Sequence, residues 1–224
     1  MAAVAPTSVR DLLHDAPRSL RALSQEHADG WGIALRQGDD WAVHRRTTCA
    51  ARCSQYASMD LGATLVIAHV RKKTVGELAI ANTHPFRRGN FVFAHNGTVT
   101  ASALAELVAR TAPEHTAVIE GSTDSERLFA FVLTRIDEAG DVARGVASAA
   151  RALHAIDGLG SATFLLSCGA RLYAHRLGRT LFVAHRDGVS LVASETLTDS
   201  DHWTEVAERA VVVIDATAAT QLAA

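Results

Sequence analysis

The sequence predicts one α+β domain built from two β-sheets with helices packed on their outer faces. Short strand-like runs come first, then two or three helices, then more short strands, and the links between them are short. The 224 residues are 48% apolar and 21% charged, a composition that supports a packed core and disfavours disorder. Because no internal repeat, low-complexity segment or linker interrupts the chain, we expect a single domain over residues 1–224.

Residues 1–70 are expected to contain the first strands and short helices. Residues 1–6 are small and apolar and fit the end of a strand. Thr7 or Ser8 can cap a short helix through Leu13. The remaining elements predicted here are a hairpin of strands Trp31–Leu35 and Trp41–Arg45 around the turn Gln37–Asp40, a short helix at 51–60, and a buried strand, Thr64–Val70.

The middle of the chain predicts a long loop and three helices. Residues 72–90 read as a loop, and loops of that length in compact domains are commonly functional. Thr123 is expected to cap a helix, with Glu126 three residues later completing a capping box. The other predicted elements are a strand, Asn90–Ala94, and two alanine-rich helices, Thr100–Arg110 and Val142–Ile156.

From Ser161 onward the pattern indicates an antiparallel meander. The apolar runs are short, and the links between them contain glycine, which is typical of hairpin connections. The predicted strands are Ala162–Ser167, Leu172–Leu177, Leu181–His185, Ser190–Ser194 and Ala210–Ile214, and the links are 168–170, 177–179 and 186–188.

Charge and composition exclude several classes of function. The formal net charge is −2, so the chain lacks the basic footprint of a nucleic-acid-binding protein. No apolar run approaches a membrane span, and the N-terminal residues lack the hydrophobic stretch of a signal peptide. Three cysteines, an odd number, suggest reduced thiols rather than a disulfide framework. We therefore expect a cytoplasmic protein that binds neither nucleic acid nor membrane.

Four residues that could form a site lie at the ends of strands or at the start of a helix, where proteins commonly meet their ligands. Arg71 follows a buried strand and could form a two-pronged pair with a carboxylate, or an ordinary surface ion pair. Asn96 and Gly97 could stabilise an oxyanion, although Asn-Gly is also a common turn. Asp124 could hold an ammonium group or simply favour the N-terminus of its helix.

The histidines and cysteines give weaker signals. His84 and His95 could each be an acid–base group, a metal ligand or a buried hydrogen-bonded residue, the last being the most frequent case. His44, Cys49 and Cys53 supply at most three ligands, at a spacing that does not match zinc motifs. We expect no metal and no cofactor.

Taken together, the motifs resemble those of the class II glutamine amidotransferases. The likeness is strongest to small stand-alone members with D-G-W-G and N-T-H-P-F signatures, and it covers nearly the whole chain. The matching segments are 29–32 (DGWG), 68–71 (AHVR), 82–86 (NTHPF), 94–97 (AHNG) and 123–126 (TDSE), with 193–198 and 201–203 resembling the C-terminal pattern.

The resemblance implies a fold and a set of site residues. The fold is the N-terminal-nucleophile hydrolase fold, a four-layer αββα sandwich of two mainly antiparallel sheets. Arg71 would bind the α-carboxylate of glutamine and Asp124 its α-ammonium group, and Asn96 and Gly97 would form the oxyanion hole. The last implied contacts are those of Thr83 and His84, which would line the glutamine pocket.

One feature departs from that family, whose nucleophile is a cysteine exposed as the first residue. This chain begins Met1-Ala2-Ala3-Val4, and the first cysteine is Cys49. Two explanations stay open: a start codon upstream that restores the cysteine, or a protein that keeps the pocket without turnover.

The sequence therefore leaves two functional hypotheses. In the first, the protein hydrolyses the amide of glutamine or a γ-glutamyl compound, releasing ammonia or transferring the glutamyl group. In the second, it binds such a ligand without cleaving it. Because 224 residues leave no room for a second catalytic domain, any synthetase or transferase partner is expected to be a separate protein.

Overall fold

The computed structural model describes residues 1–7, 9–59, 62–169, 171–199, 201–215 and 219–222. The helices in this part are α1 (Leu20–Leu23), α2 (Ser54–Ala57), α3 (Ala101–Ala109), α4 (Pro113–Thr116), α5 (Asp124–Ala139) and α6 (Val142–His154). The strands are β1 (Ala2–Thr7), β2 (Trp31–Gln37), β3 (Asp40–Arg46), β4 (Ala63–Val70), β5 (Phe86–Arg88), β6 (Phe91–Asn96), β7 (Thr163–Ser167), β8 (Leu172–His175), β9 (Phe182–Arg186), β10 (Val189–Ala193), β11 (Thr204–Glu205), β12 (Val211–Ile214) and β13 (Ala219–Leu222). Single helical turns of other types lie at Asp11–Asp15, Ala50–Arg52 and Ile80–Asn82.

The strands form two antiparallel sheets. The first has the order β11-β9-β10-β1-β4-β2-β3, and the second has the order β13-β12-β8-β7-β6-β5. In the first sheet β1 is central, with Ala2 opposite Ile67 of β4 and Val192 of β10. In the second sheet the last residue of β6, Asn96, lies opposite Thr163 of β7.

Three apolar clusters hold the layers together. One lies between the sheets and includes Ile67 from the first and Val92 from the second. A second fills the space between the second sheet and α3, α5 and α6, where the rings of Phe93 and Phe129 stack with centroids 4.9 Å apart. A third packs α1, α2 and the turn at 11–15 on the outer face of the first sheet. The four-layer αββα sandwich is therefore confirmed.

The longest helix, α5, begins after Thr123, as the sequence predicts, but without the predicted capping box. The hydroxyl of Thr123 accepts the N–H of Glu126 at 3.3 Å, and Gly140 ends the helix in the left-handed conformation, with φ +61°. The Glu126 carboxylate accepts the N–H groups of Glu120 and Gly121 instead of completing a capping box with Thr123. None of the helices in the described ranges is both long and apolar enough to cross a bilayer.

The predicted meander after Ser161 is wrong in one respect, because its strands are divided between the two sheets. Strands β7 and β8 pair in the second sheet, whereas β9 and β10 pair in the first. The link 177–179 therefore crosses between sheets instead of forming a hairpin. Local periodicity identifies a strand but not its partner, since pairing is decided by long-range packing.

Local elements near the N-terminus and in the long loop also differ from expectation. The helix predicted to start at Thr7 or Ser8 begins instead after Arg10, because β1 continues to Thr7; Ser8 itself lies outside the described residues. The segment 72–90 is not loop throughout, since β5 pairs Phe86 with Phe93. The helix expected at 51–60 is two separate turns, residue 60 lies outside the described ranges, and α4, β11 and β13 were not predicted.

Candidate functional site

A cavity of about 510 Å³ opens where β1 and β4 of the first sheet meet β6 of the second and the N-terminus of α5. It collects the ends of strands that come from distant parts of the chain. Its lining includes Met1, His69, Arg71, Asn82, His84, His95, Asn96, Gly97, Asp124, Ser125, Arg179, Ser194 and Glu195. Of the six site residues predicted from the sequence, Arg71, His84, Asn96, Gly97 and Asp124 line this cavity and Thr83 does not.

Arg71 is held rigidly at the end of β4. Its backbone N–H donates to Gly30 O at 2.8 Å, and its carbonyl accepts the N–H of Asp29 at 3.0 Å. In the guanidinium, Nη2 donates to the carbonyls of Val75 and Glu77, both at 3.1 Å. The other nitrogen, Nη1, is buried and has no partner among the described residues. Because an unpaired buried cationic donor is costly, Nη1 is a ready site for an anion entering the cavity.

Asp124 provides a negative charge in the wall of the same cavity. It is the first residue of α5, it is only 4% exposed, and one carboxylate oxygen accepts the N–H of Val99 at 2.8 Å. That bond fixes the side chain and joins α5 to the segment after β6. The cavity therefore holds one fixed cation and one fixed anion, the arrangement that a zwitterionic α-amino acid requires.

Asn96 and Gly97 end β6 at the cavity wall. Asn96 is exposed to the cavity, and Gly97 has a φ of +155°, a conformation that favours glycine. A Cβ at Gly97 would overlap the carbonyl of Ser161 and lie 2.7 Å from Nε2 of His95. Because the backbone of Ser161 lies so close to Gly97, only glycine fits at this position. The backbone of this turn therefore lies directly at the cavity. Such a turn can stabilise a developing oxyanion.

His95 is a buried, fully hydrogen-bonded residue behind this turn. Its Nε2 lies 3.1 Å from the carbonyl oxygen of Ser161, which can only accept, so Nε2 carries the proton. Its Nδ1 then accepts from the hydroxyl of Ser125 at 2.9 Å. Burial lowers the pKa of His95, whereas the charge of Asp124 raises it. The imidazole therefore orients the turn at Asn96 and Gly97 and the start of α5 relative to each other.

His69 and His84 form the deep wall. Their ring centroids lie 4.5 Å apart, and burial lowers the pKa of His69 to about 3 and that of His84 well below its usual value. Both rings are therefore neutral near pH 7. Nδ1 of His69 and both ring nitrogens of His84 have no partner within the described ranges, so this wall can supply hydrogen bonds to a bound ligand.

The N-T-H-P-F motif positions the loop more than it lines the pocket. The Asn82 carboxamide accepts the N–H of Ser122 at 2.8 Å and donates to Glu77 O at 3.0 Å, so it ties the loop to the start of α5. Thr83 is fully buried, and its hydroxyl donates to Ala79 O at 3.0 Å. Its predicted role in the glutamine pocket stays a prediction, with the side chain directed elsewhere.

Several residues of the site were not found from the sequence. Asn82 belongs to the same motif as Thr83 and His84, which were predicted as site residues. Its polar carboxamide could have indicated a role for Asn82 as well. Ser125 stands beside Asp124, but nothing local indicates that it bonds to His95, thirty residues away. Sequence patterns indicate which residues are polar and where strands end, but they do not give long-range partners.

The cysteines lie outside this site. Cys49 is buried, and its thiol donates to Ser24 O at 3.1 Å. Neither it nor Cys53 or Cys168 is found among the described residues that line the cavity. At the start of β1, the backbone of Met1 pairs with Ala68 in both directions at 2.8 Å, which brings residue 1 to the cavity wall. Among the described residues, no group of three or more potential ligands could hold a metal ion.

Comparison with known proteins gives sequence relatives along most of the chain. The profile of the family described as "Glutamine amidotransferases class-II" matches residues 16–187. A candidate glutamine amidotransferase from Haemophilus influenzae is 32% identical over 84% of this chain and 74% of its own. The gamma-glutamyl-hercynylcysteine sulfoxide hydrolase of Mycobacterium tuberculosis strain CDC 1551 is 31% identical over 94% of this chain and 89% of its own.

Solved structures are similar in fold at lower sequence identity. A candidate glutamine amidotransferase from Pseudomonas aeruginosa PA01 has a TM-score of 0.69 and 20% identity, and 100% of this chain covers 98% of it. The glutamine phosphoribosylpyrophosphate amidotransferase of B. subtilis has a TM-score of 0.74 and 18% identity over 99% of this chain. This chain spans about half, 48%, of that enzyme. Fold, motif order and family profile agree, and the chain belongs to the class II glutamine amidotransferase family.

Proposed function

We propose that the cavity binds the γ-glutamyl group of glutamine or of another γ-glutamyl amide. Arg71 binds the α-carboxylate through Nη1, and Asp124 binds the α-ammonium group. The observation that carries this proposal is the unpaired, buried Nη1 of Arg71 in a cavity that also contains a fixed carboxylate. A cation and an anion held on separate elements match the two charges of an α-amino acid and leave its side chain free to extend.

The remaining wall suits cleavage of the γ-amide. In this proposal Asn96 and Gly97, which line the cavity and which we call the oxyanion turn, donate to the oxygen of a tetrahedral intermediate. Preorganised donors of this kind lower barriers strongly. The activity proposed is hydrolysis of the γ-amide bond. A nucleophile attacks the carbonyl carbon and its proton leaves with the amine; water then cleaves the resulting γ-glutamyl ester or thioester, which releases glutamate and restores the nucleophile. In the family the nucleophile is the first residue of the chain, and on this proposal it acts from the start of β1, next to Met1 in the cavity wall.

A second candidate function is binding without turnover. It is favoured by one observation, that no cysteine is found among the described residues of the cavity wall. Met1, which lines the cavity, stands where we propose that a nucleophile would act. In this case the protein would act as a sensor or a buffer of a γ-glutamyl compound. The same contacts with Arg71 and Asp124 would bind the ligand.

Calorimetric titration with glutamine, run beside an assay of ammonia release, tests the proposal and separates the two candidates. We expect wild-type protein to bind glutamine and the Arg71→Ala variant to bind it at least about tenfold more weakly, because a charged hydrogen bond is lost. Ammonia release favours hydrolysis, and binding without release favours the second candidate. Equal affinity in the variant would refute the role of Arg71. The intact mass of the protein purified from its native host, used in both assays, shows whether the mature chain begins with a cysteine.

A further inference from the structure

The cavity continues beyond the residues that we propose bind the γ-glutamyl group, and this inference rests on that proposed function. Its volume of about 510 Å³ falls within the range of about 300–1,000 Å³ typical of pockets for drug-sized ligands. Glutamine releases only ammonia, so it needs little space beyond its side-chain carboxamide. The additional lining comes from Leu20, Leu23, His27, Arg179, Glu195 and Leu197. This space suits a leaving group that is larger than ammonia.

Arg179 lies close to the oxyanion turn because of how the link between β8 and β9 is anchored. Thr163 is the strand partner of Asn96, and its hydroxyl donates to the carbonyl of Arg179 at 3.1 Å. Asn96 and Arg179 therefore both lie against Thr163, and both line the cavity. On its other side the hydroxyl of Thr180 donates to Ser194 O at 2.7 Å. The backbone of Arg179 is therefore held beside the oxyanion turn. Because the leaving amine is bonded to the same carbonyl carbon whose oxygen this turn would bind, we take this as the leaving-group end of the cavity.

The charges at this end favour an anionic group on the ligand. Glu195 lies 3.5 Å from the guanidinium of Arg18, so its charge is partly neutralised. Arg179 is exposed, and in the described ranges it makes no side-chain hydrogen bond and no salt bridge. With Asp124 assigned to the α-ammonium group, the free charge that faces the leaving group is positive, and it attracts an anion.

We propose that the preferred ligand is a γ-glutamyl amide whose amine part carries a carboxylate, as in a γ-glutamyl amino acid or peptide. Arg179 is the residue that determines this specificity, since its guanidinium can bind the second carboxylate while Arg71 binds the first. Glutamine itself, which lacks that carboxylate, is the poorer ligand.

A matched pair of ligands isolates the second carboxylate. γ-Glutamylglycine and γ-glutamylglycinamide differ only in a carboxylate against a carboxamide at the leaving-group end. We expect wild-type protein to bind the first about tenfold more tightly, as one charged hydrogen bond requires, and Arg179→Gln to remove that preference while leaving the affinity for the glycinamide unchanged. The control is Arg151→Gln, an exposed arginine of α6 outside the cavity lining, which should keep the preference.

The outcomes separate this inference from the proposed function. Equal affinities for the two ligands in wild-type protein, or a preference that survives Arg179→Gln, would overturn the role of Arg179 while the proposed function stands. Failure of wild-type protein to bind either ligand, or full affinity in Arg71→Ala, would overturn the proposed function and this inference with it. Where a ligand is cleaved, kcat/KM values replace dissociation constants in the same comparison.

Discussion

Replacement of Asp124 by asparagine removes a single charge from the cavity and leaves its shape intact. The buried carboxylate accepts the N–H of Val99 at 2.8 Å, and an asparagine carbonyl oxygen can accept the same bond. The variant is therefore expected to fold normally and to keep the segment after β6 in place. What it loses is the charge that we propose pairs with the α-ammonium group of the ligand.

The magnitude follows from the contact that is lost. A hydrogen bond between charged groups contributes about 1.5–3 kcal/mol, so glutamine should bind about 10- to 150-fold more weakly to Asp124→Asn. Calorimetry with glutamine and with glutaramate, which lacks only the α-amine, measures this directly. Wild-type protein should prefer glutamine, and the variant should bind the two ligands almost equally. Asp137→Asn, at the exposed end of the same helix, is the control and should retain the preference.

Either of two results would show that Asp124 does not bind the α-ammonium group. One is wild-type affinity for glutamine in Asp124→Asn. The other is a preference for glutamine over glutaramate that persists in the variant, since it would mean that another group binds the ammonium. A variant with an unchanged melting temperature makes either result decisive, because loss of folding is then excluded.

Three further predictions concern the oxyanion turn, the close packing of β2 and the buried histidines. Asn96→Ala should reduce kcat about 10²- to 10³-fold in a preparation that cleaves a γ-amide, with KM little changed. Gly32→Ala should lower the free energy of unfolding by about 3 kcal/mol in chemical denaturation, because the added Cβ would overlap the His84 carbonyl. Gly38→Ala is the control: its added Cβ meets nothing within 4 Å, and it should lower the free energy of unfolding by about 1 kcal/mol. Burial lowers the pKa of His175 to about 3, whereas a histidine in the unfolded chain has a pKa of about 6.5. The unfolded chain therefore binds the proton first, and the free energy of unfolding decreases as the pH falls below about 6.5. Between pH 7 and pH 5 the free energy of unfolding should fall by about 2 kcal/mol less in His175→Gln than in wild-type protein.

The sequence predicted the fold and much of the cavity because both depend on local patterns. Apolar runs ended at Arg71 and Asn96, and a capping threonine preceded Asp124, so these polar residues were expected at element ends. The structure brings the three together in one cavity although they come from a strand of each sheet and a helix. Their order along the chain, matched to a family, supplied the αββα arrangement.

What could not be predicted depends on long-range packing. The link 177–179 contains glycine and resembles a hairpin, yet it crosses between sheets and brings Arg179 to the cavity. Thr83 and His84 are neighbours in one motif, but only the histidine reaches the cavity, because the Thr83 hydroxyl bonds to Ala79. Side-chain direction in a loop follows from such contacts and leaves no periodic signal in the sequence.

A crystal structure of the protein with a bound γ-glutamyl compound would show how the cavity holds its ligand. We expect the α-carboxylate within hydrogen-bonding distance of Nη1 of Arg71, the α-ammonium group beside Asp124, and the γ-carbonyl oxygen directed at Asn96 and Gly97. A ligand bound outside this cavity, or bound in it with its α-carboxylate away from Arg71, would overturn the proposed binding mode.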